Sequence, residues 1–133
     1  MEKIPETHQD MIEDDVKAIA YLATIMPNGT PQLTPVWFNV EGEYFVINSA
    51  VGRTKDRNIR ARPDVALTIT DPESAYRYIQ IRGVVVEIIE ENALEHIHKL
   101  AGKYMGTATF QDLNPADTRV KFKIKPTNVN AFG

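Results

Sequence analysis

The run YRYIQIRGVVVEII, Tyr76–Ile89, alternates polar and apolar side chains over most of its length. Period-two alternation marks a strand with one buried face, and a strand this long commits the chain to a sheet. Gly83, in its middle, predicts a bulge or bend. Shorter runs share its character. Ala18–Met26 (AIAYLATIM) reads as a buried strand, and Asn28-Gly29 after it is a hairpin signal, because both residues tolerate positive φ. Pro31–Val40 is the return strand. It contains Pro35, which cannot donate to a ladder, so it needs a free edge or a bulge there. A turn at Glu41–Glu43 leads to a strand at Tyr44–Ser49. Further strands are expected at Val65–Asp71 and Arg119–Lys125, and the PESA segment before Tyr76 reads as a loop.

Three segments have helical spacing. Ile4, Met11, Ile12 and Val16 suit a short amphipathic N-terminal helix, with Thr7 as its candidate cap. Thr54–Arg62 is a helix ended by Pro63, since a residue before proline avoids the helical region. Asn92–Gly106 places Leu94, Ile97, Leu100, Ala101 and Tyr104 on one stripe. Six strands joined mostly as hairpins predict a mainly β fold. The architecture expected is a small antiparallel barrel with helices outside it, closed so that no sheet edge is left bare. At 133 residues the chain is expected to be a single domain, 1–133.

The chain has no cysteine, which removes disulfides, thiolate metal sites, iron–sulfur clusters and a cysteine nucleophile. The polar, acidic start shows no signal-peptide pattern and no apolar run is long enough to span a bilayer, so a cytoplasmic protein without a membrane partner is expected. A net charge of −3 argues against a nucleic-acid partner, which needs a basic face. The only serines are Ser49 and Ser74, with no GxSxG, and no glycine-rich phosphate loop is present. His96 and His98 stand two apart on a helix and point in different directions, so no metal site is expected. His8 is expected to face solvent in a mobile N-terminus.

Against that acidity, one segment stands out. Arg53–Arg62 holds Arg53, Lys55, Arg57, Arg60 and Arg62 with a single acid, Asp56. A strand ends at Ser49 and a helix starts near Thr54. Unpaired N–H groups at that start, Arg53 and Lys55 beside them, Thr54 as a cap and Asn48 and Ser49 as donors make an anion site suited to phosphate. Lys55, Asn58 and Arg62 share one helical face, with Ile59 and Ala61 inward. The competing reading is a solvated basic helix, but cations at a helix N-terminus are unfavourable without an anion nearby. A second cluster, PQLTPVWFNV, carries the only tryptophan, Trp37. Its aromatics are either core or the wall of a flat slot, where Pro35 frees backbone groups for a ring edge and Val36 and Trp37 cover its face. A phosphate handle beside a planar slot suits a flavin-shaped cofactor.

The stretches LATIMPNGTPQLTPVWF, GRTKDRNIRARPDVAL and YRYIQIRGVVVEI, in that order, resemble the pyridoxamine 5′-phosphate oxidase-like family, and most closely its F420-dependent branch. The resemblance covers roughly residues 15–130. It implies a six-stranded split β-barrel and a homodimer with two cofactor sites at the subunit interface, holding F420 or FMN. It implies that Arg53 and Lys55 bind the phosphate, supported by Asn48, Thr54 and Asn58. Thr34, Pro35, Val36 and Trp37 would line the ring, with Gln32 near its edge. Ala75, Tyr76 and Tyr78 would approach from the partner chain. Ending at NVNAFG, the chain lacks the C-terminal segment of the oxidases proper, so pyridoxamine oxidation is not expected. The further bases Arg57, Arg60, Arg62, Lys121, Lys123 and Lys125 favour F420, whose acidic tail extends past its phosphate. The activity implied is hydride transfer to or from a small organic substrate, performed by the cofactor. No catalytic proton donor is assigned; Tyr76 and Tyr78 serve either as donor or as packing. The alternative is a carrier, storage or sensor module that binds the cofactor without turnover.

Overall fold

The computed structural model describes residues 3–133. Seven antiparallel strands form one sheet: β1 (Ile19–Ile25), β2 (Pro31–Val36), β3 (Asn39–Glu41), β4 (Tyr44–Ala50), β5 (Asp64–Asp71), β6 (Ser74–Ile89) and β7 (Arg119–Phe132). Helix α1 (Thr54–Ala61) follows β4, and α2 (Ala93–Met105) follows β6. The order across the sheet is β2-β1-β5-β6-β7-β4-β3.

Its two outermost strands, β2 and β3, are joined by Trp37 and Phe38 alone. The step from Val36 to Asn39 spans about 11 Å at most. The sheet must therefore curl until its edges nearly meet, which makes a split β-barrel. The return strand expected at Pro31–Val40 is thus two strands, and the count is seven rather than six. Its first half pairs with β1 and its second with β4. Pro35 lies opposite Tyr21 in β2, whose only neighbour is β1, so its missing N–H faces an open edge.

Period-two alternation fills the barrel. Leu22, Phe45, Ile47, Leu67, Ile69, Ile79, Ile81, Phe122 and Ile124 are nearly inaccessible and form one core. Ile59 of α1 joins it, so α1 closes one end of the barrel; Ala61, expected inward as well, is exposed. Gly83 sits at a register shift between β6 and β7, where an added Cβ would lie 2.7 Å from Lys125 O. A second cluster, Ile97, Leu100 and Tyr104, packs α2 against Ile19, Trp37 and Phe110.

Several boundaries move. Ser74 and Ala75 belong to β6, because Ser74 pairs with Asp71. β7 runs on to Phe132, paired with β6 from Ile89 back to Tyr78. The N-terminal segment forms a 3-10 helix, Glu6–Ile12, behind Pro5, with no side-chain cap from Thr7. His8 is buried, not solvent-facing: its Nε2 lies 2.9 Å from Phe132 O. Arg77 clasps the same segment, donating to Asp10 Oδ1 (2.6 Å), Asp71 Oδ2 (2.8 Å) and Thr7 O (2.6 Å).

Candidate functional site

Helix α1 starts where β4 ends. Gly52, at φ +90°, turns the chain. Arg53 is the N-cap residue, with extended backbone, and no side chain caps the first turn. Thr54 is already inside the helix, so it does not cap as expected. The outward N–H groups of this turn are left for an external acceptor. Asp56, the acid of the segment, is buried and engaged: it accepts from Gly52 N and from Arg60 Nε, both at 2.8 Å.

The structure divides the basic run. Arg60 pairs with Asp56, Arg57 folds back onto Gly52 O, and Arg62 Nε donates to Ile25 O at 2.8 Å. Lys121 lies 3.7 Å from Glu41, and Lys123 sits over the Tyr44 ring. These bases serve the fold, which weakens their use as a groove for an acidic tail. Arg53 and Lys55 stand differently. Arg53 Nη2 meets Asp117 Oδ2 at 3.0 Å. Lys55 has no carboxylate partner among the described residues. Burial, then Arg53 and Arg119, holds its pKa below the usual lysine value. Burial and Arg53 likewise depress Arg119, with Asp117 opposing them. Three cations therefore crowd one corner with one carboxylate between them, an arrangement completed by an anion.

That corner is one end of a cleft of about 360 Å³ at the barrel's seam. Pro35, Val36 and Trp37 form one wall, Ile97 and Leu100 of α2 another, with Asn48, Arg53 and Lys55 at the end and Phe110 at the side. Trp37 is held rigidly. It stacks on Tyr104 (5.2 Å, 8°) and meets Phe110 edge-on (5.9 Å, 81°). The Tyr104 hydroxyl donates to Ala18 O at 2.6 Å and accepts from Phe38 N at 3.3 Å, and burial pushes its pKa up to about 12.

Of the residues singled out from sequence, Pro35, Val36, Trp37, Asn48, Arg53 and Lys55 share this cleft. Thr34 lies next to it on β2 with a buried hydroxyl that has no partner. Gln32 accepts from Thr24 Oγ1 at 3.2 Å, further along β2. Both amide protons of Asn48 are engaged, by Ala93 O (2.8 Å) and His96 Nδ1 (3.0 Å), so it supports the site without a free donor. Alternation turns Ser49 to the barrel interior with Phe45 and Ile47, away from Asn48. Asn58 is buried and donates to Thr24 Oγ1 at 3.0 Å, sealing the barrel end. Ala75 and Tyr76 project from the β5–β6 hairpin, with Tyr76 88% exposed, and Tyr78 stacks on Phe132; none lines the cleft of its own chain. Sequence reasoning missed Ile97, Leu100 and Phe110 as walls, and Arg119 and Asp117 as the rest of the charged corner. Arg119 opens the strand expected at Arg119–Lys125, whose lysines, and not this arginine, read as further bases for an acidic tail. Its pairing with Ala50 is what delivers it to the end of β4.

The uncapped helix start and the under-neutralised cations beside the Pro35–Trp37 wall fit a planar molecule carrying a phosphate. Fold and cleft together define a split β-barrel protein with a slot at its seam that ends in a basic corner. The chain belongs to the pyridoxamine 5′-phosphate oxidase family, whose model matches residues 4–133. Among solved structures it is similar to an F420 reductase at 32% identity, covering 96% of this chain and 98% of that one, with a TM-score of 0.83. A conserved hypothetical protein of Mycobacterium tuberculosis matches at 23% identity, over 98% of this chain and 85% of that one, TM-score 0.72. The heme storage protein HutZ of Vibrio cholerae matches at 16% identity, over 100% and 96%, TM-score 0.66. These last two show the fold alone. No curated protein sequence matches the chain. Family membership and the F420 reductase together support an oxidoreductase of the flavin-binding type. Among the described residues no helix is long and apolar enough to cross a membrane, and no cluster of His, Cys, Asp or Glu is arranged to hold a metal.

Proposed function

We propose that the protein is a cytoplasmic, homodimeric oxidoreductase that uses F420, with FMN as the second choice, on a small organic substrate. The observation that carries this reading is the corner of Arg53, Lys55 and Arg119 at the uncapped start of α1, opening directly onto the Pro35–Trp37 wall. The likeness to an F420 reductase supports F420 over FMN. The cofactor supplies hydride transfer when bound. Arg53, Lys55 and the first N–H groups of α1 would hold its phosphate, with Arg119 behind them. Pro35, Val36 and Trp37 would orient the ring system, with Thr34 beside them on β2. Tyr76, Tyr21 and Leu33 are exposed on the sheet's outer side and offer apolar surface to a second copy, which would bring its Ala75, Tyr76 and Tyr78 towards the cleft. Binding without turnover is the second reading. It is favoured by the cleft lining, which among the described residues holds two basic side chains, Arg53 and Lys55, and no carboxylate, histidine or tyrosine.

Titration with F420 and separately with FMN, followed by quenching of Trp37 fluorescence, tests the proposal. Tighter quenching by F420 is expected. Binding of neither would refute it, and F420 binding without reduction of any acceptor would select the carrier. Light scattering on the eluting protein is expected to give a dimer; a folded monomer at micromolar concentration would remove the interface site.

A further inference from the structure

Behind the charged corner runs a chain of hydrogen bonds. Arg119 Nε donates to Asn48 Oδ1 at 2.9 Å. Asn48 Nδ2 donates to Ala93 O at 2.8 Å and lies 3.0 Å from His96 Nδ1. His96 Nε2 lies 2.7 Å from Asn39 Oδ1. Asn39, His96 and Arg119 are all buried. The protons in this chain have one consistent arrangement. A guanidinium only donates, so Asn48 turns its oxygen to Arg119 and its nitrogen to His96. His96 Nδ1 is then an acceptor and its proton sits on Nε2. Asn39 must meet that proton with its oxygen, which leaves Asn39 Nδ2 buried without a partner. The orphaned amide is the consequence of an orientation imposed from the cleft.

We infer that His96 and Asn39 are positioning residues for the anion corner: acting through Asn48, they hold the Arg119 guanidinium beside Arg53 and Lys55. The inference rests on the corner taking an anion, as proposed above. A second proton on His96 would land on Nδ1, facing an N–H of Asn48. The imidazolium is accommodated only if Asn48 turns or withdraws, and either movement releases Arg119. Burial of the ring holds its pKa down to about 4. Glu41 from β3 pulls it up, while Lys121 from β7 and Lys99 from α2 push it down. Glu41 and Lys121 are themselves paired at 3.7 Å.

The test is Asn39→Asp, which is isosteric and exchanges the orphaned amide for a carboxylate oxygen. A carboxylate against Nε2 should raise His96 to titrate between about pH 5 and 7. The first readout uses the ligand-free protein: nitrogen-15 NMR of the His96 ring and of the Arg119 Nε–H, from pH 8 to 5. In the wild type both signals should stay constant, with His96 in its Nε2–H form. In the variant the Arg119 signal should move with the midpoint of His96. The second readout is the F420 dissociation constant. Its ratio, variant over wild type, should grow about tenfold as pH falls through that midpoint, the scale of one charge-assisted hydrogen bond. An Arg119 signal that ignores the His96 titration overturns the inference. Coupled NMR signals without F420 binding to either protein would uphold the relay and remove the F420 reading alone. Should Asn39→Asp fail to fold, His96→Asn and His96→Leu decide. The Asn oxygen takes the place of Nδ1 and accepts from Asn48, so it should rescue F420 affinity. Leu cannot accept, and should weaken binding about tenfold. Equal affinity in both variants overturns the inference.

Discussion

Replacing Lys55 by methionine should weaken anion binding and stabilise the ligand-free protein at the same time. Methionine keeps the length and the apolar stem and removes only the charge. In the ligand-free protein that charge is opposed by burial, by Arg53 and by Arg119, and no carboxylate among the described residues answers it. Because the side chain is partly exposed, solvent screens the repulsion, and its removal should add only about 0.5–1 kcal/mol of stability. For a chain of this length that is a rise in Tm of about 2–4 °C. With a phosphate in the corner the same charge becomes a donor to an anion. Its loss should then cost about 1.5–3 kcal/mol of affinity, or about 10- to 150-fold in Kd. Calorimetric melting without ligand and titration with F420 measure the two effects separately. A solvated basic helix predicts no change in either. A fall in the ligand-free Tm, or an unchanged F420 affinity, would refute the reasoning.

Tyr104→Phe should leave Ala18 O and Phe38 N buried without their partner while keeping the stack on Trp37. Urea unfolding should show a loss of about 2–4 kcal/mol, and a loss below about 1 kcal/mol would mean that water replaces the hydroxyl. Gly83→Ala drives a Cβ to 2.7 Å from a backbone oxygen and 2.9 Å from Ile124 Cγ2, so it should destabilise by about 1–3 kcal/mol; a neutral result would deny the close β6–β7 approach. His96 is held neutral down to about pH 4 in the fold, whereas an unfolded histidine takes its proton near pH 6.5. As pH falls between those values the unfolded state binds the proton first, so stability should drop, by at most on the order of 3 kcal/mol. The His96→Asn protein should lack that part of the slope between pH 6.5 and 4.

Much of the barrel could be read locally. Alternation in Tyr76–Ile89, the Asn28-Gly29 turn and the stripe along α2 are one-dimensional patterns that survive in the folded protein because each element buries one face. Gly83 signalled its bulge, and Pro35 its open edge, because each lacks an atom that a regular central strand requires. The split of Pro31–Val40 into β2 and β3 was illegible. Both halves look like strand, and only the meeting of the two sheet edges makes Trp37 and Phe38 a crossing. The N-terminal apolar spacing was equally compatible with an α-helix, and its 3-10 form and the burial of His8 follow from docking against Phe132, 124 residues away.

The candidate site divides along the same line. The sequence by itself determined that a chain of net charge −3 concentrates five bases in one short helix and its caps, and places its sole tryptophan in a strand-like run upstream. That is a matter of spacing within one helix and one strand. Which of those bases remain available for a ligand was decided by tertiary structure. Asp56 engages Arg60 within the helix, but Asp117 reaches Arg53 across 64 positions, and Arg119 reaches Asn48 across 71. Strand β7 delivers Arg119, and with it Asp117 just upstream, to the end of β4, and their charges count at the cleft only once the barrel has closed. Coulomb energy and hydrogen bonding depend on separation in space, and separation along the chain carries no record of it.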